Sequence, residues 1–254
     1  MKVTFLGTGT SQGVPFIGCD CTVCTSPDKR DNRLRTSVLI QAPQATIVID
    51  SGPDFRYQMI RAKVDKLDAI VFTHGHKDHT AGLDDVRPYN YRQKKDMEVY
   101  ATLATQESLK KEFSYIFQDK TYPGIPQIKL NTIKNNEPFS INGLTITPIR
   151  VMHYMLEVLG FRINDFTYIT DANYIAPEEM LKIKNSKALV LNALRHEQHI
   201  SHYTLAEAME IARESGAQDT YFTHISHQLG LHTEVEATLP PNMHLAYDGL
   251  VLDF

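Results

Sequence analysis

The sequence has little of several features that mark particular classes of protein. It has no run of about 20 apolar residues, which a membrane-spanning helix needs, and its first residues, MKVTFLGTGTSQG, lack the apolar segment of a signal peptide. Lysine and arginine number 26 against 30 aspartate and glutamate residues, so the basic excess common in nucleic-acid-binding proteins is missing. We therefore expect a cytoplasmic protein without membrane contact, and long nucleic acid is disfavoured as its partner.

The chain also lacks internal repeats, low-complexity segments and Pro- or Ser-rich linkers. Because such linkers mark boundaries between independent domains, we predict a single domain over residues 1–254. Strand patterns occur throughout both halves of the chain, together with a few helical segments. One helical segment is TLAEAMEIARESG, in which Thr204 and Glu207 form a capping box at the start and Gly216 ends the helix. Two β-rich halves covered by helices predict an α/β fold, a four-layer αββα sandwich of two mixed β-sheets.

Only three cysteines are present, and all of them lie in the segment GCDCTVC. In a reducing compartment Cys19, Cys21 and Cys24 would stay as thiols, so their close spacing favours metal or redox chemistry over disulfides. A redox site is disfavoured because the C-x-C-x-x-C spacing lacks the usual helix context, and buried free thiols are a further alternative. A metal site would need a fourth ligand that is not a cysteine.

The segment FTHGHKDHTAGL follows a strand pattern, LDAIVF, that is apolar enough to be buried. His74 and His76 are two residues apart on chain that leaves a strand, so both can turn toward one point, and Asp78 and His79 can reach a second point beside it. Two metal ions about 3.5–4 Å apart need roughly six or seven protein ligands. The segment therefore predicts just over half of a binuclear site.

Three residues at the ends of later strand patterns are candidates for the remaining ligands. The predicted arrangement has His74, His76 and His153 on one metal, Asp78, His79 and His224 on the other, and Asp171 bridging both. The alternative for each of the three later residues is a structural role, which a lone histidine at a strand end often has. We expect Asp50, which ends ATIVID, to hydrogen-bond a ligand histidine rather than to bind metal.

THGHKDH resembles the H-x-H-x-D-H signature of the metallo-β-lactamase superfamily, and His153, Asp171 and His224 match the order of that family's remaining ligands. The resemblance extends over essentially the whole chain. It implies a hydrolase in which two divalent ions, zinc or manganese, polarise a hydroxide that attacks a phosphoryl or carbonyl centre. Asp78 is then expected to be essential for turnover. A polar loop rich in histidine by chance is the alternative, and the specific spacing counts against it.

Within that superfamily, GCDCTVC together with THISH is similar to the PhnP-type phosphodiesterases, which are related to tRNase Z. Those enzymes carry a structural zinc held by three cysteines of an early loop and one histidine. The resemblance implies a structural zinc on Cys19, Cys21, Cys24 and His227, a closed set of ligands with no open position. It also implies a homodimer.

The segment HISHYTLAEA places two histidines before the predicted helix start. His202 resembles the histidine that PhnP-type enzymes and tRNase Z place beside the scissile phosphate, where it would stabilise charge or protonate the leaving oxygen. A histidine that only packs or caps at the helix start is the alternative for His202. That structural interpretation is the favoured one for His196 and His199.

The segment GLDDVRPYNYRQKK looks like a GLDDLRP stretch of PhnP relatives. Arg87 could bind substrate, or it could form a structural pair with Asp84 or Asp85. The basic residues of RQKK, from Arg92 to Lys95, lie in a predicted loop, and a solvated surface is favoured there over a contact with RNA.

These features favour a binuclear metal-dependent phosphodiesterase that acts on a small nucleotide-like or cyclic phosphodiester. A thioester or lactam hydrolase would share the H-x-H-x-D-H loop, but it would not be expected to carry the cysteine segment together with THISH. A non-hydrolytic role in cofactor biosynthesis, as in PqqB-like proteins, is a third hypothesis. The intact set of seven ligands counts against it.

Overall fold

The structure is a computed structural model that describes residues 1–118, 124–134 and 137–254. The strands are β1 Lys2–Gly7, β2 Ser37–Gln41, β3 Thr46–Ile49, β4 Ala69–Val71, β5 Met97–Ala101, β6 Ile128–Thr132, β7 Phe139–Ile141, β8 Leu144–His153, β9 Leu156–Ile163, β10 Phe166–Tyr168, β11 Tyr174–Ile175, β12 Ala188–Asn192, β13 Asp219–Thr223, β14 Met243–Leu245 and β15 Val251–Asp253. The helices are α1 Phe55–Arg61, α2 Lys77–Thr80, α3 Arg87–Gln93, α4 Leu103–Glu112, α5 Ser114–Phe117, α6 Pro177–Ile183, α7 Leu205–Ser215 and α8 His232–Glu236.

The first sheet has the strand order β15-β1-β2-β3-β4-β5-β6. The pairs from β15 to β3 are antiparallel. The pairs from β3 to β6 are parallel. Because β3 and β4 are parallel, the loops that follow them leave from the same edge of the sheet.

The second sheet has the order β11-β8-β9-β10-β12-β13-β14, with β7 paired to β8. From β10 to β14 the neighbouring strands are parallel, and the others are antiparallel. The turn between β7 and β8 is Asn142-Gly143, and both residues have positive φ (51° and 90°), the conformation that an Asn-Gly pair favours in a two-residue hairpin turn. Both sheets are therefore mixed.

Three buried clusters show how the layers pack. The central cluster joins the facing sides of the two sheets, with Phe5 and Ile49 from the first sheet and Phe161 and Tyr168 from the second. A second cluster packs α1, α3, α4 and α5 on the outer face of the first sheet, and a third packs α6, α7 and α8 on the outer face of the second. The predicted four-layer αββα sandwich is confirmed.

Helix α7 begins and ends as its sequence signals predict. The Thr204 side chain accepts a hydrogen bond from the backbone N–H of Glu207, and the Glu207 carboxylate accepts one from the backbone N–H of Thr204 at 2.8 Å. Gly216 follows the helix in the left-handed conformation, with φ 65°.

The prediction of a loop at RQKK was wrong for its first two residues. Arg92 and Gln93 form the last turn of α3, because Pro88 lies in the first turn of that helix and Tyr89 buries its ring in the core. Arg92 pairs with Asp65 at 3.4 Å, and Lys95 lies 3.5 Å from Asp68. These contacts agree with a solvated surface.

Among the described residues, no helix combines the length and the apolar character that are needed to cross a membrane.

Candidate metal centre and neighbouring cavities

The loop after β4 carries the histidine-rich segment and packs tightly on the loop after β3. The backbone N–H of Ser51 donates to the carbonyl of His79 at 2.8 Å, and that of Gly82 donates to the carbonyl of Ser51 at 2.8 Å. A Cβ atom on Gly52 would lie 2.1 Å from the carbonyl oxygen of Asp78. A glycine is therefore required for this approach, which places the two loops side by side.

The predicted ligands lie together at this edge of the two sheets and form two groups. Within each group, the ligand atoms lie within 4.8 Å of one another. The first group contains His74, His76 and His153, and the second contains Asp78, His79, Asp171 and His224. The Nε2 atom of His79 lies 3.2 Å from a carboxylate oxygen of both Asp78 and Asp171, and the Nε2 atom of His224 lies 3.2 Å from Asp171. The structure thus brings all seven predicted metal ligands together.

Strand ends position the ligands that come from distant parts of the chain. His153 is the last residue of β8, Asp171 follows β10, and His224 directly follows β13. Asp50, Asp171 and His224 all have positive φ (64°, 54° and 57°), a conformation that costs free energy in residues other than glycine. Such strain concentrates at functional sites, and here it turns three polar side chains toward one point.

Hydrogen bonds fix the orientation of three ligand rings. His79 donates from Nδ1 to Asp50 at 2.7 Å, and His153 donates from Nδ1 to the carbonyl of Ser201 at 2.8 Å. Thr73 donates its hydroxyl to Asp50 at 2.8 Å, so the same hydroxyl can accept from Nδ1 of His74, 3.0 Å away. Asp50 therefore occupies the place expected for it, behind the ligands, and the Nε2 atom of each ring points away from these hydrogen bonds, where it could bind a metal.

The residues present fit two divalent cations. The Nε2 atoms of His74, His79 and His224 are buried and have no hydrogen-bond partner among the described residues, which is unusual for buried polar atoms away from an ion. Burial lowers the pKa of His74 well below its usual value, so this imidazole is neutral, as a metal ligand must be. Burial opposes charge on Asp171, but His224 and His79 outweigh it and hold the pKa of that carboxyl well below its usual range. Imidazole nitrogens together with ionised carboxylates suit zinc or manganese.

His202 lies beside both groups. Its ring centroid is 4.6 Å from those of His153 and His224, and its Nδ1 atom is 3.9 Å from Asp171 and lacks a hydrogen-bond partner among the described residues. Burial, followed by the charge of His224, lowers the pKa of His202 to about 2. The family resemblance implied a place beside the substrate for this residue. The sequence did not show that His153, Asp171 and His202 also form a third group close enough to hold an ion.

The three cysteines meet His227 at a separate cluster. The Sγ atoms of Cys19 and Cys21 are both 3.4 Å from Nδ1 of His227, and the ligand atoms of all four residues lie within 4.8 Å of one another. A hydrogen bond from the backbone N–H of Cys24, followed by the contact with His227, lowers the pKa of the Cys21 thiol to about 6. Three cysteine sulfurs, bound as thiolates, together with one imidazole are the donor set of a structural zinc site.

The other residues that the sequence suggested for the site, Arg87, His196 and His199, belong neither to the metal centre nor to the cysteine cluster. Arg87 pairs with Asp84 at 2.5 Å and is not among the residues that surround the metal centre, so the structure shows the pair that the sequence left as one alternative. His196 is exposed. His199 is exposed too, and its ring lies 5.1 Å from that of His202 while its Nδ1 is 3.2 Å from the Ser201 hydroxyl.

Several cavities open beside the metal centre, and two of them differ in their lining. One, of about 350 Å³, is lined by His202, His227 and residues of the loop 10–13, and it includes Arg195. The other, of about 440 Å³, borders His76 and His153 and has an apolar rim of Met155, Leu156 and Ile200. Arg195 escaped the sequence analysis because it belongs to no motif, and its neighbours in the cavity come from loops far apart in the chain.

Comparisons with known proteins place this chain in a family. The model of the β-lactamase superfamily domain matches residues 45–225. A crystal structure of a diphosphatase from the PhnP family is 41% identical, has a TM-score of 0.93, and the match covers 100% of this chain and 97% of that one. Zinc-bound PqqB from Methylobacterium extorquens, at 19% identity and a TM-score of 0.80 over 100% of both chains, shows the same fold.

One curated relative is much longer than this chain. An octanoyltransferase from Porphyromonas gingivalis is 40% identical over 252 residues, which are 98% of this chain and 51% of that protein. The chain thus spans about half the length of this relative. The family model, the PhnP-family match and the clustered ligands agree, and this chain belongs to the PhnP family of the β-lactamase superfamily.

Proposed function

We propose that this chain is a metal-dependent hydrolase that cleaves a phosphodiester or diphosphate bond in a small substrate. The position of His202 carries the proposal, because this buried histidine faces both ligand groups and also lines a cavity that is open to solvent. A substrate in that cavity would present its phosphoryl group to the ligand clusters and to His202 together. The similarity to a PhnP-family diphosphatase supports the same chemistry.

The first group of ligands and the second would each hold one divalent ion. Asp171 belongs to the second group and, through the group that it forms with His153 and His202, also lies near a ligand of the first. Two ions bound there would act as Lewis acids on a phosphoryl oxygen and would lower the pKa of a bound water toward 7. Asp50 and Thr73 hold His79 and His74 in the orientation that binding requires. The chain's contribution at this centre is thus a rigid set of ligands assembled by the fold.

His202 would act directly on the substrate. Its ring can donate an N–H to a non-bridging phosphoryl oxygen or to the leaving oxygen, and both gain negative charge in the transition state. The carbonyl of Ser201 accepts a hydrogen bond from His153, so the segment that carries His202 is tied to a metal ligand. This tie keeps the ring within reach of the reacting group.

A thioester hydrolase is the second candidate function, because one feature of the structure favours it. Tyr154, Met155 and Ile200 expose large apolar side chains (54%, 78% and 65%) at the mouth of the metal centre, where an acyl chain could lie. The similarity to a protein named octanoyltransferase is compatible with an acyl substrate.

One assay separates the two candidates. Zinc- and manganese-loaded protein would be given bis(p-nitrophenyl) phosphate, a dinucleoside diphosphate, p-nitrophenyl phosphate and an octanoyl thioester, and initial rates would be compared. We expect hydrolysis of the phosphodiester or of the diphosphate, much slower hydrolysis of the monoester and none of the thioester. Turnover of the thioester alone would replace the phosphodiesterase proposal with the second candidate, and no turnover of any substrate by metal-loaded protein would contradict both.

A further inference from the structure

His202 lies in the loop 193–204, which joins β12 to α7 and contains no helix or strand. On the C-terminal side of His202, the backbone N–H of Tyr203 donates to the carbonyl of Ala172 at 2.9 Å, and α7 begins two residues later. No regular element precedes His202 within the loop. The position of this histidine therefore depends on the contacts that hold the residues before it.

Two side chains from outside the loop hold those residues. His153 donates from Nδ1 to the carbonyl of Ser201 at 2.8 Å, and Asn173 donates from Nδ2 to the carbonyl of Ile200 at 3.2 Å. His153 is one of the predicted metal ligands, whereas Asn173 belongs to none of the ligand groups. The contact from Asn173 can therefore be removed while the set of ligands stays complete.

The other end of the Asn173 amide reaches the hairpin between β8 and β9. Its Oδ1 atom accepts a hydrogen bond from the backbone N–H of Tyr154 at 2.7 Å, and its backbone N–H donates to the carbonyl of Met152 at 2.8 Å. Tyr154 directly follows the ligand His153 and has a φ of 57°, a conformation that costs free energy in a tyrosine. The bond from Tyr154 to Asn173 stabilises this turn. One amide therefore ties the hairpin to the loop 193–204.

The three segments that Asn173 joins carry His153, Asp171 and His202. These are the residues of the third group, whose ligand atoms lie within 4.8 Å of one another. The Nδ1 atom of His202 is buried and has no hydrogen-bond partner among the described residues, so no hydrogen bond at that atom orients the ring. The place of His202 beside the two ligands therefore depends on how the three segments are held together.

An amide is the side chain that suits this position. One end must accept from an N–H and the other must donate to a carbonyl, and asparagine has one group of each kind. An aspartate would turn a carboxylate oxygen toward the carbonyl of Ile200, and an alanine would remove both bonds. The contacts of Asn173 thus use both halves of its amide.

We propose that Asn173 is a positioning residue, which holds His202 in its place beside the metal ligands and acts on the reaction through that histidine. This inference rests on the proposed function for the role of His202 at the phosphoryl group. It adds a residue that is not a metal ligand and does not itself act on the reacting atoms. It also requires that the effect of Asn173 disappear when His202 is absent.

A double-mutant cycle tests this requirement. The rates on the phosphodiester or diphosphate that the protein hydrolyses are compared for the wild type, Asn173→Ala, His202→Ala and the variant with both changes. Asn173→Ala should lower kcat by about tenfold or more and change KM by less than about threefold, because a displacement of about 1 Å can cost about a hundredfold in rate. In the His202→Ala background the same change should alter kcat by less than about twofold. An equal effect in both backgrounds, or none in either, would overturn the proposal.

A second variant separates the two bonds of the amide. Asn173→Asp keeps an acceptor for the N–H of Tyr154 but loses the donor to Ile200, so it should be as slow as Asn173→Ala. A wild-type kcat in Asn173→Asp would show that the bond to the loop does not matter, which contradicts the proposal.

Asn90→Ala is the matched control. The Asn90 amide also bonds to backbone, donating to the carbonyls of Lys95 and Gln127 at 3.0 and 2.9 Å, but it lies on α3 at the outer face of the first sheet. Its kcat should stay within about twofold of the wild type. A loss as large as that of Asn173→Ala would show a general effect of the lost amide and would count against the proposal.

The metal ligands should be undisturbed in Asn173→Ala. Metal content by elemental analysis, the visible spectrum of the cobalt-substituted protein and the melting temperature of the metal-loaded protein are compared with the wild type. We expect equal metal content and the same spectrum. A changed spectrum would show that Asn173 acts through the metal ligands rather than through His202, and it would overturn the proposal.

Binding of orthovanadate keeps the test independent of turnover, because a vanadate ion can mimic a phosphoryl group in the transition state. Calorimetric titration of zinc-loaded protein should give a Kd about tenfold higher for Asn173→Ala than for the wild type, and a change below about twofold in the His202→Ala background. If no substrate is hydrolysed but this pattern is found, the proposed function fails and the positioning role stands. If substrates are hydrolysed and vanadate binds equally to Asn173→Ala and the wild type, the positioning role fails and the proposed function stands.

Discussion

The Nδ1 atom of His79 lies 2.7 Å from Oδ2 of Asp50, and neither side chain is exposed to solvent. Asp50 also accepts hydrogen bonds from the backbone N–H and the hydroxyl of Thr73 at 2.9 and 2.8 Å. One buried carboxylate therefore orients His79 directly and His74 through Thr73. This contact links both predicted metal positions to a residue that belongs to neither group of ligands.

Replacement of Asp50 by asparagine should weaken metal binding by about 10–100-fold, because the neutral amide holds the imidazole N–H less strongly. Competition with a chromophoric chelator measures this change. Asp68→Asn is the matched control. Asp68 is also a buried carboxylate (4% exposed) that accepts a backbone hydrogen bond, from Thr46, but it lies at the end of β4 opposite to the histidine-rich loop. An affinity in Asp50→Asn equal to that of the control would contradict the role assigned to Asp50.

Replacement of Asp78 by alanine should lower kcat by at least about a hundredfold, because one metal would lose one of its two carboxylate ligands and several kcal/mol of transition-state stabilisation would go with it. The assay is bis(p-nitrophenyl) phosphate hydrolysis with excess zinc or manganese, and circular dichroism would verify that the variant is folded. Lys77→Ala, on the same short helix but 76% exposed at its side chain, should stay within about twofold of the wild type. Full activity of Asp78→Ala would exclude the binuclear assignment.

Replacement of Cys21 by serine should remove one metal ion per chain and lower the melting temperature. A loss of about 3 kcal/mol of stability corresponds to a decrease of about 6–12 °C for a chain of this size. Elemental analysis and calorimetry measure the two quantities. Thr25→Ser, which keeps the hydroxyl that donates to the Cys21 carbonyl, serves as the control. An unchanged metal count in Cys21→Ser would rule out a structural zinc at this cluster.

The stability of the fold should fall as the pH decreases from 7 toward 4, in part because of His232. Burial and the neighbouring charges of Arg33 and Arg30 lower the pKa of His232 to about 4, whereas the unfolded chain has a value near 6.5. Between pH 6.5 and 4, His232 is protonated in the unfolded chain but not in the folded one. The stabilising contribution of neutral His232 is therefore fully present above pH 6.5 and is lost as the pH falls toward 4. The contribution is on the order of 3 kcal/mol.

Urea unfolding at several pH values tests the role of His232. His232→Asn keeps an acceptor for Arg33, whose Nη2 lies 3.1 Å from Nδ1 of His232, but it cannot titrate. The stability of the variant should therefore approach that of the wild type as the pH falls. Parallel pH profiles for the two proteins would show that another group controls the loss.

Several parts of this protein were predictable from local sequence. The capping box at Thr204 and Glu207 and the Asn142-Gly143 hairpin turn depend on residues within a few positions of one another, and the structure contains both. The loop predicted at Arg92 was wrong, because the burial of Tyr89 in the core, a tertiary contact, extends α3 through that segment. Local pattern predicts local structure, and packing decides the exceptions.

The sequence by itself determined which donors are available: four ligands within six residues from His74 to His79, three thiols within six residues from Cys19 to Cys24, and later histidines and carboxylates at strand ends. Only the tertiary structure decided how they combine. Parallel strands in two sheets bring their carboxyl ends to one edge, and this places Asp171 and His224 beside the loop of Asp78 and His79. The same convergence puts Arg195 and His202 in one cavity with a loop nearly 200 residues earlier in the chain, a proximity that sequence spacing does not encode.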